Sequence, residues 1–266
     1  MHIRPAVFIL LLSLLACGEP SRTSPPAKEE PGHTAAPQPE QGGNPYHAIS
    51  EIPLPAGYSR VPAADGSFAA WLHNLPLKED KTVYLFNGQR KGNQEAQFAV
   101  VDMATGTSDL QQCADVVMRL RAEYLFSTKQ FNEIAFMDYG GKWYRWQGGA
   151  NRPGFDNYLK QVFGWCGSAS LEKQLKPVNN FLDMKPGDVL VKGGFPGHAV
   201  TVVDMAVNNE GKKVYLLVQG YQPAQDMHVL INPSDAALSP WYLLEEQPEI
   251  ITPEWRFVPQ QLATWP

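Results

Sequence analysis

The chain has 266 residues, 44% of them hydrophobic and 18% charged, with a formal net charge of −5. That length is enough for one sizeable core or two small ones. The mildly acidic balance, with no basic stretch carrying interleaved aromatics, argues against a nucleic-acid partner.

Residues 1–16 read as an export signal. Arg4 supplies the basic start, and Ala6 to Leu15 form an apolar run too short for a comfortable membrane span. Leu14-Leu15-Ala16-Cys17 resembles the bacterial lipobox, so Cys17 is expected to be lipidated and to become the mature N-terminus. An ordinary signal peptide or an uncleaved anchor is the competing reading. Residues 17–45 are rich in Pro, Ser, Thr, Gln, Glu and Gly and too poor in bulky apolar groups to offset their ordering entropy. They read as a tether that holds a domain at 46–266 away from a membrane. Gly18, where some bacteria use Asp for inner-membrane retention, leans the expected location toward the outer membrane, facing the periplasm.

Within 46–266, residues 51–65 are Pro-rich and read as irregular or edge-like. Phe68, Ala69, Trp71, Leu72 and Leu75 stand at helical spacing. Thr82 to Phe86 reads as a strand before an Asn87-Gly88 turn, and Gln97 to Met103 as a second strand. The strongest helical pattern covers 113–126, where Ala114, Val117, Leu120, Arg121 and Tyr124 repeat at three and four residues. Gly140-Gly141 centres a hairpin between 133–138 and 142–147, and 155–164 and 168–176 read as shorter helices. After Pro186-Gly187 the pattern turns to strands at 188–192, 197–207, 213–220 and 227–231, with a further one near 254–258. Helices followed by an antiparallel meander predict an α+β fold, the helices packed on an antiparallel sheet.

Chemistry is concentrated in a thiol and an imidazole. Cys113 begins the strongest helix, where free backbone N–H groups and the helix dipole favour a thiolate. His198, in Gly197-His198-Ala199-Val200, begins an apolar strand and is the expected general base and acid, holding that thiolate as an ion pair. Gly197 suits close approach of another backbone. Asp115 acts against the thiolate, since a neighbouring carboxylate raises a sulfur's pKa. Asp109 and Asp115 otherwise read as helix-start charges. Cys166 is the competing thiol, and with Cys17 lipidated a Cys113–Cys166 disulfide is also open. A small buried core residue is the plain alternative for Cys113. Trp143-Tyr144-Arg145-Trp146 suits stacking on sugar rings or, more simply, packing on the core. The His residues, His73, His198 and His228 among them, show no ligand spacing, and no phosphate-binding loop is present, so no metal and no cofactor are expected.

Pro186-Gly187-Asp188 followed by Gly197-His198, with Cys113 at a helix start, resembles the papain-like cell-wall hydrolases of the NlpC and CHAP type over about 110–222. The resemblance implies a papain-like, NlpC-like core in which Cys113 is the nucleophile and a polar group on the next strand orients His198. Gln219 falls at that place, with His228 one strand further on as the other orienting candidate. Gln112, with the Cys113 backbone N–H, is the expected oxyanion donor. Gln112-Cys113-Ala114 departs from the Asp-Cys-Ser start usual there, and the Cys-to-His separation is long. The segments Asp109 to Asp115, Arg119 to Leu125 and Pro223 to Leu230 resemble a bacterial lipoprotein family without assigned activity, domain-of-unknown-function family 4846. The expected function is therefore a lipid-anchored envelope protein that cleaves amide bonds in cell-wall peptides. The alternative is a non-catalytic lipoprotein that binds glycan or peptide, or scaffolds an envelope complex.

Overall fold

The computed structural model describes residues 43–266. The expected signal peptide, Cys17 and nearly all of the tether lie outside those residues. In chain order the described elements are β1 (Tyr58–Arg60), α1 (Phe68–His73), β2 (Gln97–Val100), α2 (Cys113–Ser127), β3 (Ala135–Met137), β4 (Trp143–Arg145), α3 (Arg152–Trp165) and α4 (Ser168–Gln174). There follow β5 (Lys176–Pro177), β6 (Val189–Lys192), β7 (His198–Asn208), β8 (Lys213–Gln219), β9 (His228–Leu230), β10 (Tyr242–Leu244), β11 (Ile250–Ile251), β12 (Arg256–Phe257) and β13 (Leu262–Thr264). Among the described residues, no helix is long and apolar enough to cross a membrane.

One antiparallel sheet organises the chain, in the order β2-β9-β8-β7-β6-β13-β5, with β1 added to β7 and β10 to β8. Its centre is the β7–β8 hairpin. Val200, Val202 and Met205 of β7 face one apolar cluster with Tyr215, Leu217, Phe257 and Leu262, while Val203 and Ala206 face another with Val214, Leu216 and Val218. The alternation changes parity between Val202 and Asp204, where the register shifts as at a β-bulge. Helices α1 and α2 pack on β7, and α4 on β6. The α+β class with an open antiparallel sheet is what the helix-then-strand pattern predicts.

One expected strand is corrected. Thr82 to Phe86 forms no strand, only isolated bridges of Tyr84 to Arg90 and of Leu85 to Gln225. Side chains occupy its ladder positions: the Val83 N–H donates to Gln94 Oε1 at 3.1 Å and the Tyr84 N–H to Asp226 Oδ2 at 3.1 Å. The aromatic hairpin of β3 and β4 packs on the core, the simpler of the two readings of its sequence. Trp146, just past β4, is buried among Phe155, Tyr158 and Leu159, while Trp143 and, in the turn, Tyr139 are exposed.

Helix α2 is seated by its ends and its buried stripe. Asp115 Oδ2 accepts from the Gln112 backbone N–H at 2.9 Å, closing the first turn. Val116 and Leu120 pack on Leu216 and Val218. Asp109 is a staple rather than a helix-start charge: its Oδ1 accepts from the Ala224 N–H at 2.7 Å and from Gln112 Nε2 at 3.0 Å. The start of α2 also presses on the end of β8. A Cβ at Gly220 would lie 2.6 Å from Val116 Cγ2 and 3.0 Å from the Gln112 carbonyl oxygen. Gly220→Ala is therefore expected to cost about 1–3 kcal/mol of stability, as overpacking does, read as a lower urea midpoint. An unchanged midpoint would mean that the helix start yields freely.

Candidate functional site

The site lies where the N-terminus of α2 meets the ends of β7 and β8. With Thr201 opposite Val218 and Gln219 opposite His228, period-2 alternation puts His198, Gln219 and His228 on one face of three adjacent strands. All three are buried. His198 Nε2 lies 3.0 Å from Gln219 Oε1, so with the amide oxygen accepting, Nε2 carries the proton and Nδ1 is bare. Among the described residues the His198 side chain makes no other hydrogen bond. Gln219 is thus the group that touches His198. His228 stands behind it, its Nε2 at 3.3 Å from Gln219 Nε2.

The turn before β6 carries Asp188, fully buried, whose Oδ2 accepts from the Lys185 N–H at 2.9 Å. From β6 the chain returns through Gly193-Gly194-Phe195-Pro196-Gly197 to His198. A Cβ at Gly197 would fall 2.2 Å from Ser168 Oγ and 2.6 Å from the Gly194 carbonyl oxygen, so the close approach expected there is present. The imidazole is walled by aromatic rings: Tyr221 at 5.1 Å, Trp255 at 5.3 Å and Phe257 at 5.8 Å between centroids.

Cys113 and His198 line one cleft of about 630 Å³, with Gln112, Cys166, Tyr221 and Trp255. The backbone N–H groups of Ala199, next to His198, and of Cys113 and Ala114 at the open end of α2 favour the Cys113 thiolate. Neither group is ionised in the neutral range. Burial, then the charge of Asp115, pushes the Cys113 thiol up to about 11, against the backbone N–H groups. Burial, aided by the Lys91 cation, pushes His198 down to about 4, against its bond to Gln219. In place of the thiolate–imidazolium pair expected from the helix start, a neutral thiol and a neutral imidazole line one cleft.

Cys166 caps α3, its backbone N–H bonded to the Val162 carbonyl, and its thiol is pushed up to about 12, chiefly by burial. It lines the same cleft, and both thiols are free, so no disulfide joins them. Gln112 also lines the cleft. Its Nε2 is engaged by Asp109, which leaves one amide proton for other use. His73 lies elsewhere, with Nε2 at 2.9 Å from Asp204 Oδ1. Among the described residues, no three His, Cys, Asp or Glu side chains are grouped as metal ligands.

Several site residues were not singled out from the sequence. Glu254, in the turn before β12, accepts from Gln219 Nε2 at 2.7 Å and from Lys91 Nζ at 2.6 Å. Lys91 and Glu254 sit in unpatterned polar loops that carry no local signal. Tyr139, Trp165 and Phe195, 66%, 68% and 99% exposed, surround the cleft mouth. The only sequence cue to them is a large aromatic beside Gly or Pro, as in Gly194-Phe195-Pro196.

A search of curated proteins gives no match, and neither does a search of solved structures. The sequence model of one family, described as a domain of unknown function (4846), matches residues 49–264, which span the whole sheet and every residue of the cleft. The chain belongs to that family.

Proposed function

We propose that this cleft is the active site of a cysteine hydrolase with a papain-like arrangement of groups, acting on amide bonds of cell-wall peptides. The protein would work at the cell envelope, tethered through lipid on Cys17 and facing the periplasm, with Gly18 favouring the outer membrane. The observation that carries the reading is the placement of Cys113, at a helix N-terminus, in one cleft with His198, whose Nε2 is held by Gln219 and whose Nδ1 is left bare.

The neutral resting state sets the order of events. Moving the proton from a thiol near 11 to an imidazole near 4 before attack runs steeply uphill. The proton therefore leaves sulfur for Nδ1 as the S–C bond forms at the substrate carbonyl. The carbonyl oxygen takes up the negative charge, facing the Cys113 backbone N–H and the remaining amide proton of Gln112. Collapse breaks the C–N bond, and the amine leaves with the proton from Nδ1. A water molecule, giving its proton to Nδ1, then cleaves the thioester and restores the thiol.

A second reading, a cleft that binds glycan or peptide without turnover, is favoured by the same neutral pair and by the exposed aromatic rim. Variants separate the two. Cys113→Ser and His198→Ala are expected to abolish release of soluble fragments from purified peptidoglycan, with circular dichroism unchanged. Gln219→Ala should lower the rate by roughly 10²–10⁴, the usual scale for disabling a general base. Equal turnover by wild type and the first two variants assigns the cleft to binding alone.

The thiol itself provides a pH test. Iodoacetamide labelling of Cys113, followed by peptide mass, should be slow at pH 7 and climb with pH toward an inflection near 11. Removing the neighbouring charge with Asp115→Asn should move that inflection to lower pH. A labelling plateau already reached below pH 7 would contradict the neutral resting state.

A further inference from the structure

Gln219 can sit either way round. Its amide oxygen and nitrogen are nearly equal in size, so packing alone does not choose between two orientations related by a half-turn. The choice matters, because it decides which nitrogen of His198 carries the proton. We propose that Glu254, held by Lys91, is a positioning residue that fixes the polarity of the Gln219 amide and, through it, keeps Nδ1 of His198 free to accept a proton. The proposal rests on the hydrolase reading only for the use of that nitrogen, since the orientation itself is a matter of hydrogen bonding.

Every atom of the amide is accounted for. Glu254 Oε2 lies 2.7 Å from Gln219 Nε2, and a carboxylate in an ion pair only accepts. His228 makes the same demand less strongly. Its Nδ1 lies 2.9 Å from the Asp226 carbonyl oxygen, which also only accepts, so its proton sits on Nδ1 and its Nε2 is bare toward Gln219 Nε2 at 3.3 Å. Turning the amide over would set a carbonyl oxygen against an anion on one side and a nitrogen lone pair on the other. It would also leave His198 Nε2 facing an N–H donor, which places the proton on Nδ1. The bond to Glu254 is the shorter and the charge-assisted one, so it dominates the choice.

The carboxylate is fixed in turn. Lys91 Nζ donates to the same Oε2 at 2.6 Å and Asn93 Nδ2 to Oε1 at 3.3 Å, both from the loop that precedes β2. The Tyr221 hydroxyl donates to the Glu254 carbonyl at 3.3 Å, and the next residue, Trp255, covers the His198 ring. One residue thus ties down both the orienting amide and two of the walls around the imidazole.

Long-range proton–nitrogen NMR of 15N-labelled protein at pH 7 reads the tautomers directly. Wild type should show the proton on Nε2 in His198 and on Nδ1 in His228. In Glu254→Leu the orphaned Lys91 ammonium attracts Gln219 Oε1, and His198 should switch to the Nδ1–H form. Glu254→Gln, which keeps an acceptor for both donors, and the double variant Lys91→Met/Glu254→Leu should retain the wild-type tautomer. If Glu254→Leu does not fold, Glu254→Asp replaces it, with a mixture of both His198 forms expected. A wild-type His198 protonated on Nδ1, or an unaltered tautomer in Glu254→Leu or Glu254→Asp, overturns the proposal. Expected spectra from a protein that cleaves no peptidoglycan would sink the hydrolase reading alone.

Discussion

Three polar side chains buried in a row at the end of a sheet constrain everything around them. His198, Gln219 and His228 come from three strands, and each is shut away from solvent. A buried polar atom without a partner costs roughly 1–3 kcal/mol, so such a row is tolerable only if its ends are satisfied as well as its middle. The Asp226 carbonyl closes one end. Glu254 closes the middle from below, and its own charge is met by Lys91. What remains without a hydrogen bond in that row is Nδ1 of His198, and it belongs to the residue that shares a cleft with the sulfur. The loops that deliver Lys91 and Glu254 are therefore part of the site, although each is far from it along the chain.

Elements with strong local periodicity were legible in the sequence. The apolar repeat over 113–126 corresponds to α2, the Gly140-Gly141 pair to the turn between β3 and β4, and the four apolar runs after Pro186 to β6 through β9. The strands β5, β10 and β13 are two or three residues long and carry too few residues to show a period. At the site, residues at element starts and strand ends could be read, because Cys113, His198 and Gln219 inherit their positions from the elements that hold them. Lys91 and Glu254 could not, since their placement depends on a salt bridge between loops 163 residues apart in sequence. Asp109 misled for the same reason: a carboxylate near a helix start reads as dipole chemistry until Ala224 is seen to donate to it.

The protonation state of Cys113 turns on relative magnitudes. A helix N-terminus favours an anion by about 0.3–1 kcal/mol at an ordinary surface. A thiol pushed from its usual value to about 11 reflects a larger opposing effect, since each pKa unit corresponds to about 1.4 kcal/mol. Cys113 is 5% exposed, so burial outweighs the dipole, and Asp115, which closes the first turn of α2, adds to burial. The helix-start position still has a consequence. It leaves backbone N–H groups free beside the sulfur, where, in the proposed hydrolysis, they would face the oxygen that becomes charged during attack. A dipole too weak to ionise the thiol at rest is still well placed for the transition state.

The cleft mouth fits that chemistry. Nearly all of the Phe195 surface is in solvent, at the tip of a loop bounded by glycines, and Trp165 and Tyr139 stand out beside it. Exposed aromatic surface of this kind gains nothing for the isolated fold, and under the proposed function it is where a substrate would be received. In the proposed hydrolysis, a neutral thiol and a neutral imidazole react only when a carbonyl is held against them, which couples binding to chemistry. In the proposed reaction, covering the aromatic rim would help to hold the carbonyl and to exclude water from the polar row beneath it.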